Sequence, residues 1–584
     1  MKRILGFSIL GCFALFVSQA HAVKAKPGLI EYLQPDGSTA TIMLHGDEHF
    51  NYATSPDGLL LLFNEEGGYE YAVKSPSGAV VSSGVNATHL SSEVKGATLS
   101  GADYIKLARP AISPAKRMIT SGYLPGEPKY RFSTAAFPTS GRPHTLVILV
   151  EYQDYRFNVD NPLEYFEDFL NGDEFRRDDA TGSVRQYYIE NSMGQFQPTF
   201  DVYGPVLLKN NRKYYGGGDE RYAYQMVTES VAALDDSVDF SIYDHNEDGY
   251  VDNVYIIYAD TGQADGGGAD AVWPYSWELE SEGVYLVADG VKFNSYGCSN
   301  EITPRRKMAG IGTFTHEFGH VLGLPDLYNT VNSYDMTTPT SWSVMDNGNY
   351  LNDSRTPCNF SSFERYSLGW LSPEEILCSG DYSLGPLPAT NKAYIMTTEA
   401  NTDEFYIADY RVQEGWDTAL PSEGMLFWHV QFVQRVWDEN EVNNNMYHQF
   451  VELVRADDMA QSNSLMGDPF PGHFGITEFV FGGKPSLQAW DGSQLNVTAL
   501  TDIREEEGEV KFHAQLSEER GESGIGDLIG EESGFRVDGR TIISITVDSP
   551  VFDIFGRKVA SLVPGKSVSL SPGIYIIRGQ KLLL

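Results

Sequence analysis

Cysteine, histidine and positive charge are all scarce here. Four cysteines stand among 584 residues. The first, Cys12, lies in an apolar leader, so Cys298, Cys358 and Cys378 are left for the folded chain. They allow one disulfide and a spare thiol, without fixing the pair, and are too few to be the framework of the fold. Lys and Arg number 42 against 80 Asp and Glu, a formal net charge of −38. That sign repels phosphate backbones and anionic lipid, which excludes nucleic acid and a membrane surface as natural partners. It suits calcium, and it suits solubility outside a cell. Beyond the leader no run approaches the roughly 20 apolar residues of a membrane helix, so no transmembrane segment is expected. No tandem repeat of fixed period is present.

What is present opens with "MKRILGFSILGCFALFVSQAHA": two basic residues, a short apolar run and a small-x-small ending. This is the pattern of a secretory signal peptide cut after Ala22, which predicts a secreted or cell-surface protein. A lipoprotein cut before Cys12 would leave a very short apolar segment. At this length three or four folding units are expected. Residues 23–105 alternate short β-like runs with the turn signals "PDGST", "SPDGL" and "EEGGY", a β-rich N-terminal domain. Residues 106–142 are rich in proline, serine and glycine and carry Lys116-Arg117, the composition of a linker with a processing site. Residues 143–378 mix buried-strand patterns ("HTLVILVEYQD", "DNVYIIYAD") with helical ones ("NPLEYFEDFLNG", "TGSVRQYYIENSMGQF"), an α/β (α+β) unit. Strand-like runs dominate 379–516, predicting a β-sandwich. A polar spacer at 517–533 leads to a small β unit at 534–584.

The chemistry concentrates in "GTFTHEFGHVLGLPD", residues 312–326. Residues four apart share a helix face, so His316 and His320 can present both imidazoles to one ion with Glu317 beside them. Gly323 offers a left-handed cap, Pro325 prevents continuation, and Asp326 is then swung back toward the histidines. Two nitrogens and one carboxylate oxygen leave a fourth tetrahedral position for water, as a catalytic zinc site requires. With 12 histidines in the chain, a chance match to this spacing is on the order of 10⁻².

"HEFGHVLGLPD" resembles the metzincin signature with aspartate as third ligand, and "SWSVMDNG" resembles the methionine turn, with Met345 beneath the metal. Together with "TGSVRQYYIENSMGQFQPTFDVYGPV", "DHNEDGYVDNVYIIYADTG" and "GMLFWHV", the stretch from about Gly122 to Gln515 is similar to the immune inhibitor A family of secreted bacterial metallopeptidases. The resemblance implies a metzincin-like zincin domain flanked by β-rich domains, with zinc on His316, His320 and Asp326. It implies Glu317 as the base that activates a zinc-bound water against peptide bonds, and an N-terminal propeptide. Many relatives have histidine where Asp326 stands. No tyrosine stands two residues after Met345; Tyr334 and Tyr350 are the substitutes considered. Asp47, in "LHGDEHF", is a carboxylate for the fourth zinc position, against the plainer reading of a turn. The C-terminal "VFDIFGRKVASLVPGKSVSLSPGIYIIRGQKLLL" resembles a type IX secretion sorting domain, which implies outer-membrane secretion machinery as a partner; a plain β module is the other reading.

"DHNEDGYVD" carries Asp244, Asn246, Asp248, the Tyr250 carbonyl and Asp252 at alternating positions, with Gly249 for the sharp turn. This is the first part of an EF-hand-type calcium loop, lacking the closing glutamate because Tyr255 takes its place. An Asx-rich turn is the alternative. The function expected is a secreted zinc endopeptidase acting on extracellular proteins. A zinc amidase acting on peptidoglycan or glycoprotein peptides, and a latent calcium-stabilised binding protein, stand as alternatives.

Overall fold

Glycine turns between apolar alternations shape the first region. A computed structural model describes residues 21–48, 50–90, 92–108, 137–217, 222–331, 335–398, 401, 403–461, 464–517, 535–538, 541–544, 548–553, 557–570, 574–577 and 580–583. Ile30–Leu33, Thr39–Gly46, Asn51–Thr54, Leu60–Phe63, Tyr69–Lys74 and Val80–Asn86 pair in chain order as a six-stranded sheet. The turn glycines Gly37, Gly58 and Gly67 all sit at positive φ (84°, 76° and 86°), where a side chain is costly. Most of the Lys116-Arg117 linker, residues 109–136, falls outside the described residues.

The next region is built on a mixed sheet with the order His21–Ala22, Tyr275–Glu278, Ser295–Ile302, Val254–Thr261, His144–Glu151, Thr199–Leu207. The four strands from Ser295–Ile302 to Thr199–Leu207 run parallel. Tyr275–Glu278 lies antiparallel to Ser295–Ile302, and His21–Ala22 antiparallel to Tyr275–Glu278. Val254–Thr261 is buried at every residue, as a strand covered on both faces must be. Helices Pro162–Asn171 and Val184–Asn191 form where the periodicity predicts them; Ser183 caps the second by accepting from Gln186 N–H.

The helix Gly312–Val321 lies on this sheet. Phe314 and Phe318, one turn apart, form its underside, packing on Tyr255 (4.0 Å), Phe200 (5.4 and 5.5 Å) and Tyr188 (5.5 Å between centroids). Each buried phenyl contributes roughly 1.5–3 kcal/mol. The helix ends in a Schellman motif: Gly323 N–H donates to His320 O (2.9 Å), Leu324 N–H to Gly319 O (3.0 Å), and Gly323 has φ +100°.

Glu374–Glu375, Tyr394–Thr397, Glu404–Arg411, Gly424–Gln431 and Val451–Val454 form a five-stranded sheet. Tyr406 and Phe427 pack on Phe479 of a second, four-stranded sheet (5.9 and 4.9 Å). Buried polar contacts tie the five-stranded sheet to the preceding region. Asp409 accepts from Ser362 N–H and O–H (3.0 and 2.6 Å). Asp417, held by Arg411 (2.7 Å), accepts from Asn359 N–H (2.9 Å). The described residues accordingly fall into two compact units, one from residues 1–376 and 381–513, the other from 377–380 and 514–584. The second unit holds two small sheets, with the "GIYII" run forming the strand Ile574–Ile577. All of the 517–533 spacer but Ser517 falls outside the described residues. No disulfide forms among the described cysteines, and Cys298 and Cys358 are buried thiols.

Candidate metal centre

On the face opposite Phe314 and Phe318, the helix turns His316 and His320 toward one point. Nε2 of His316 lies 3.2 Å from Nε2 of His320, and Oδ1 of Asp326 lies 3.2 and 3.3 Å from them. This near-equilateral triangle has the dimensions of one face of a zinc tetrahedron, since bonds of about 2.0 Å give edges of about 3.3 Å. Among the described residues it is the one group of three such side chains close enough to share an ion.

The tautomers are set from behind. Nδ1 of His316 faces Val344 O and Nδ1 of His320 faces Leu324 O, both at 2.8 Å. A carbonyl only accepts, so the protons sit on Nδ1 and the Nε2 lone pairs face inward. Oδ1 of Asp326 is buried and has no hydrogen-bond partner. Three inward lone pairs with nothing between them repel, and a cation at the apex removes the conflict; the donor set fits zinc. Burial alone would raise the Asp326 carboxyl; when the two rings carry a proton on Nε2 as well, in place of a metal, His320 and His316 hold it well below the usual carboxylate range.

Glu317 is fully buried beside the triangle, and burial pushes its carboxyl up to about 8, with His316 opposing. Met345 lies under the helix. A Cβ on Gly319 would meet its Sδ at 2.6 Å, and Met345 O accepts from Leu327 N–H (2.8 Å). The Met345 turn is braced by Ser343, whose hydroxyl accepts from Met345 N–H (3.0 Å) and donates to Glu364 (2.6 Å).

Several contacts at the site have no local signature in the sequence. Val23 N–H donates to Glu317 Oε1 at 2.9 Å, Trp273 Nε1–H donates to Val23 O (2.9 Å), and Tyr350 O–H donates to Lys24 O (2.7 Å). Lys26 pairs with Asp353. Asp47 Oδ1 accepts from Phe50 N–H (3.1 Å), a turn contact. Its neighbour Glu48 is pushed well above the carboxylate range by burial, by Asp47 and then by Asp326. Asn440 meets Asp326 from far along the chain. The one available hint at Val23 is that it follows the small-x-small ending at Ala22; Asn440 stands in the asparagine-rich "WDENEVNNN". Tyr334 lies outside the described residues.

In the "DHNEDGYVD" loop Gly249 takes φ +87°, as the sharp turn requires. Asp244 accepts from Asp248 N–H and Gly249 N–H, and Asp248 from Tyr250 N–H (2.9–3.0 Å), while Asn246 Oδ1 also accepts from Asp248 N–H. Asp252 turns to His245 (2.7 Å). Asp244, Asp248 and Asp252 do not converge on one point.

Residues 141–371 match the family described as "Immune inhibitor A peptidase M6, catalytic domain". This stretch is a peptidase M6 catalytic domain. The M6 domain holds the whole triangle, Glu317 and Met345. Two similar curated proteins are the "Pre-pro-metalloprotease PrtV" of Vibrio cholerae serotype O1 (strain ATCC 39315 / El Tor Inaba N16961) and the "Immune inhibitor A" of Bacillus thuringiensis subsp. alesti. The first is 29% identical over 231 residues, covering 33% of this chain and 25% of that protein. The second is 28% identical over 260 residues, covering 37% and 38%. The chain thus matches between a quarter and two fifths of the length of these relatives. No helix among the described residues is long and apolar enough to cross a membrane.

Proposed function

We propose that the protein is a secreted zinc-dependent endopeptidase of metzincin type, made as a latent precursor. The observation that carries this reading is the triangle of two imidazole nitrogens and one carboxylate oxygen with tetrahedral edge lengths and Glu317 alongside. His316, His320 and Asp326 hold the ion. Zinc in such a site supplies Lewis acidity toward a peptide carbonyl and lowers the pKa of a bound water to about 7. Glu317 takes the proton of the attacking water on its carboxylate and returns it to the leaving amine nitrogen. Met345 supports the floor beneath the helix without ligating. Tyr275–Glu278 offers a free antiparallel pairing edge once His21–Ala22 leaves, and an extended peptide is the ligand such an edge takes.

The N-terminal region, about 23–105, is the propeptide in this reading, with Val23 resting on the base. Export follows cleavage after Ala22. The PrtV relative is named a pre-pro-metalloprotease, which supports that order of processing. Residues 379–516 serve as an accessory β-sandwich and 534–584 as a sorting unit for secretion machinery; calcium in the Asp244–Asp252 loop would require its carboxylates to turn from their backbone N–H and His245 partners and another segment to complete the shell.

The test is metal content and hydrolysis of a mixed peptide library by the processed chain and its Glu317→Ala variant. Zinc in both with cleavage by the unmutated protein alone supports the reading. Zinc without cleavage by either sinks it, as does cleavage of cell-wall peptides in place of protein.

A further inference from the structure

The third corner of the triangle is the hardest to hold. His316 and His320 are fixed by one rigid helix, whereas Asp326 lies beyond the helix end, on a loop, and its carboxylate rotates unless something grips it. That grip comes from 114 residues further along the chain. Asp326 N–H donates to Oδ1 of Asn440 at 2.8 Å, and Nδ2 of Asn440 donates to Oδ2 of Asp326 at 2.6 Å. One amide thus closes a ring on the backbone and side chain of the same residue. Both residues are buried.

Asn440 is itself pre-set. It ends the short helix Gln434–Asp438 in the left-handed region (φ +49°), with its N–H on Trp437 O (3.0 Å) and Glu441 N–H on Val436 O (2.9 Å). That is a Schellman ending, and asparagine tolerates its conformation better than most residues. The residues that follow grip the rest of the loop. Asn443 donates to Leu327 O (2.8 Å) and Val451 O (2.9 Å); Asn444 Oδ1 accepts from Thr330 N–H (2.8 Å) and O–H (3.0 Å).

We propose that Asn440 is a positioning residue for the metal centre, binding Asp326 Oδ2 so that Oδ1 stays at the triangle's third corner. An amide suits the task because it donates to the carboxylate and accepts from the N–H at once; aspartate in its place keeps the shape but supplies no donor at neutral pH. The inference rests on the zinc reading of this site. It makes the β-rich region after residue 379 part of the metal centre, and asparagine 440 the outer partner that a ligating carboxylate needs.

The test is zinc affinity by competition with a chromophoric chelator, on the full chain and on Asn440→Asp, Asn440→Ala and Asn444→Ala, with thermal unfolding of each metal-free protein. The expected result is a loss of about 10–100-fold in affinity for both Asn440 variants. Asn444→Ala, which loosens the loop at Thr330, should lose less than threefold, and the metal-free Asn440→Asp protein should melt with the unmutated one. For any variant still active, kcat should fall more than KM rises. Unmutated affinity in the Asn440 variants overturns the proposal while leaving the zinc site standing. An affinity loss equal in Asn444→Ala also overturns it, since that marks general loosening. An unmutated chain that binds no zinc overturns the reading of the site beneath it.

Discussion

Val23 N–H donates to Glu317 Oε1 at 2.9 Å, although 294 residues separate them. The contact places the N-terminal segment on the side chain that the proposed function makes the base. Val23 is fully buried, and its flanks are fastened at Trp273, Tyr350 and Asp353. In the uncut chain His21–Ala22 also runs antiparallel to the edge strand; cleavage after Ala22 would remove that pair, and Val23 to Lys26 would remain over the site. In the proposed processing, cleavage after Ala22 turns the Val23 N–H into an α-ammonium group, a stronger charge-assisted donor. The intact chain is therefore expected to be nearly inert. Clipping at Lys116-Arg117 and removing the N-terminal fragment should raise peptide hydrolysis at least about tenfold, the change in rate that about 1.4 kcal/mol of blocking produces. Equal rates before and after removal would show that the segment does not block.

Glu317→Gln keeps the size of the side chain and removes its basicity. Turnover is expected to fall about 10²–10⁴-fold, the range of a lost general base. Zinc content should not change, because in the proposed site the ligand atoms are those of the triangle, His316, His320 and Asp326. Metal analysis beside a peptide assay separates the two effects; loss of zinc in this variant would place Glu317 among the ligands.

Much of the centre was legible because its signals are local. The i, i+4 spacing of His316 and His320 fixes a shared face, and Gly323 before Pro325 marks the helix end. The turn glycines at 37, 58 and 67 likewise announce their hairpins. Val23, Asn440 and Ser343 act across the fold, through contacts that leave no periodicity in the chain. A single asparagine in "ENEVNNN" looks the same whether it faces solvent or a ligand. The loop at Asp244 shows the converse: its spacing and its glycine turn are legible, yet its carboxylates face backbone N–H groups and His245.

His429 predicts a pH dependence away from the metal. Its ring lies between Tyr406 (4.2 Å) and Trp490 (4.9 Å), with His448 stacked on Trp490 (4.2 Å). Nε2 meets Glu404 (2.8 Å) and Nδ1 meets Glu452 (3.3 Å). Burial alone would lower the imidazole, but Glu404 and Glu452 raise it above 6.5; burial would raise Glu404, but His429 takes it below 4.5. A raised histidine stabilises fully below its unfolded value and loses that contribution as pH rises through its folded value. A lowered carboxyl stabilises above its unfolded value and loses it as pH falls through its folded one. Their joint contribution is therefore greatest between about pH 4.5 and 6.5. Thermal unfolding of the full chain should weaken above that window, and His429→Gln should flatten the alkaline limb. His448, lowered by burial and by His429, adds no stabilisation on that limb. An alkaline limb unchanged in His429→Gln would assign the dependence to other groups.

Two glycines of the site helix separate backbone from side-chain constraint. A Cβ on Gly312 would stand 1.8 Å from Asn349 O, a backbone atom held within the turn that follows Met345. A Cβ on Gly319 would stand 2.6 Å from Met345 Sδ, the movable end of a flexible side chain. Alanine in a helix is favoured over glycine by about 1 kcal/mol, and overpacking costs about 1–3 kcal/mol. At Gly319 the two effects nearly cancel in stability, but Met345 has to shift beneath the histidines. Gly319→Ala is thus expected to melt close to the unmutated chain while binding zinc more weakly. At Gly312 the obstructing atom cannot rotate away, so Gly312→Ala should fall at or beyond the upper end of the overpacking range. Melting curves and zinc titrations on both variants decide this. A Gly312→Ala chain of unmutated stability would mean that the helix start moves off Asn349 at little cost, and that the close approach of these two segments does not anchor the histidines.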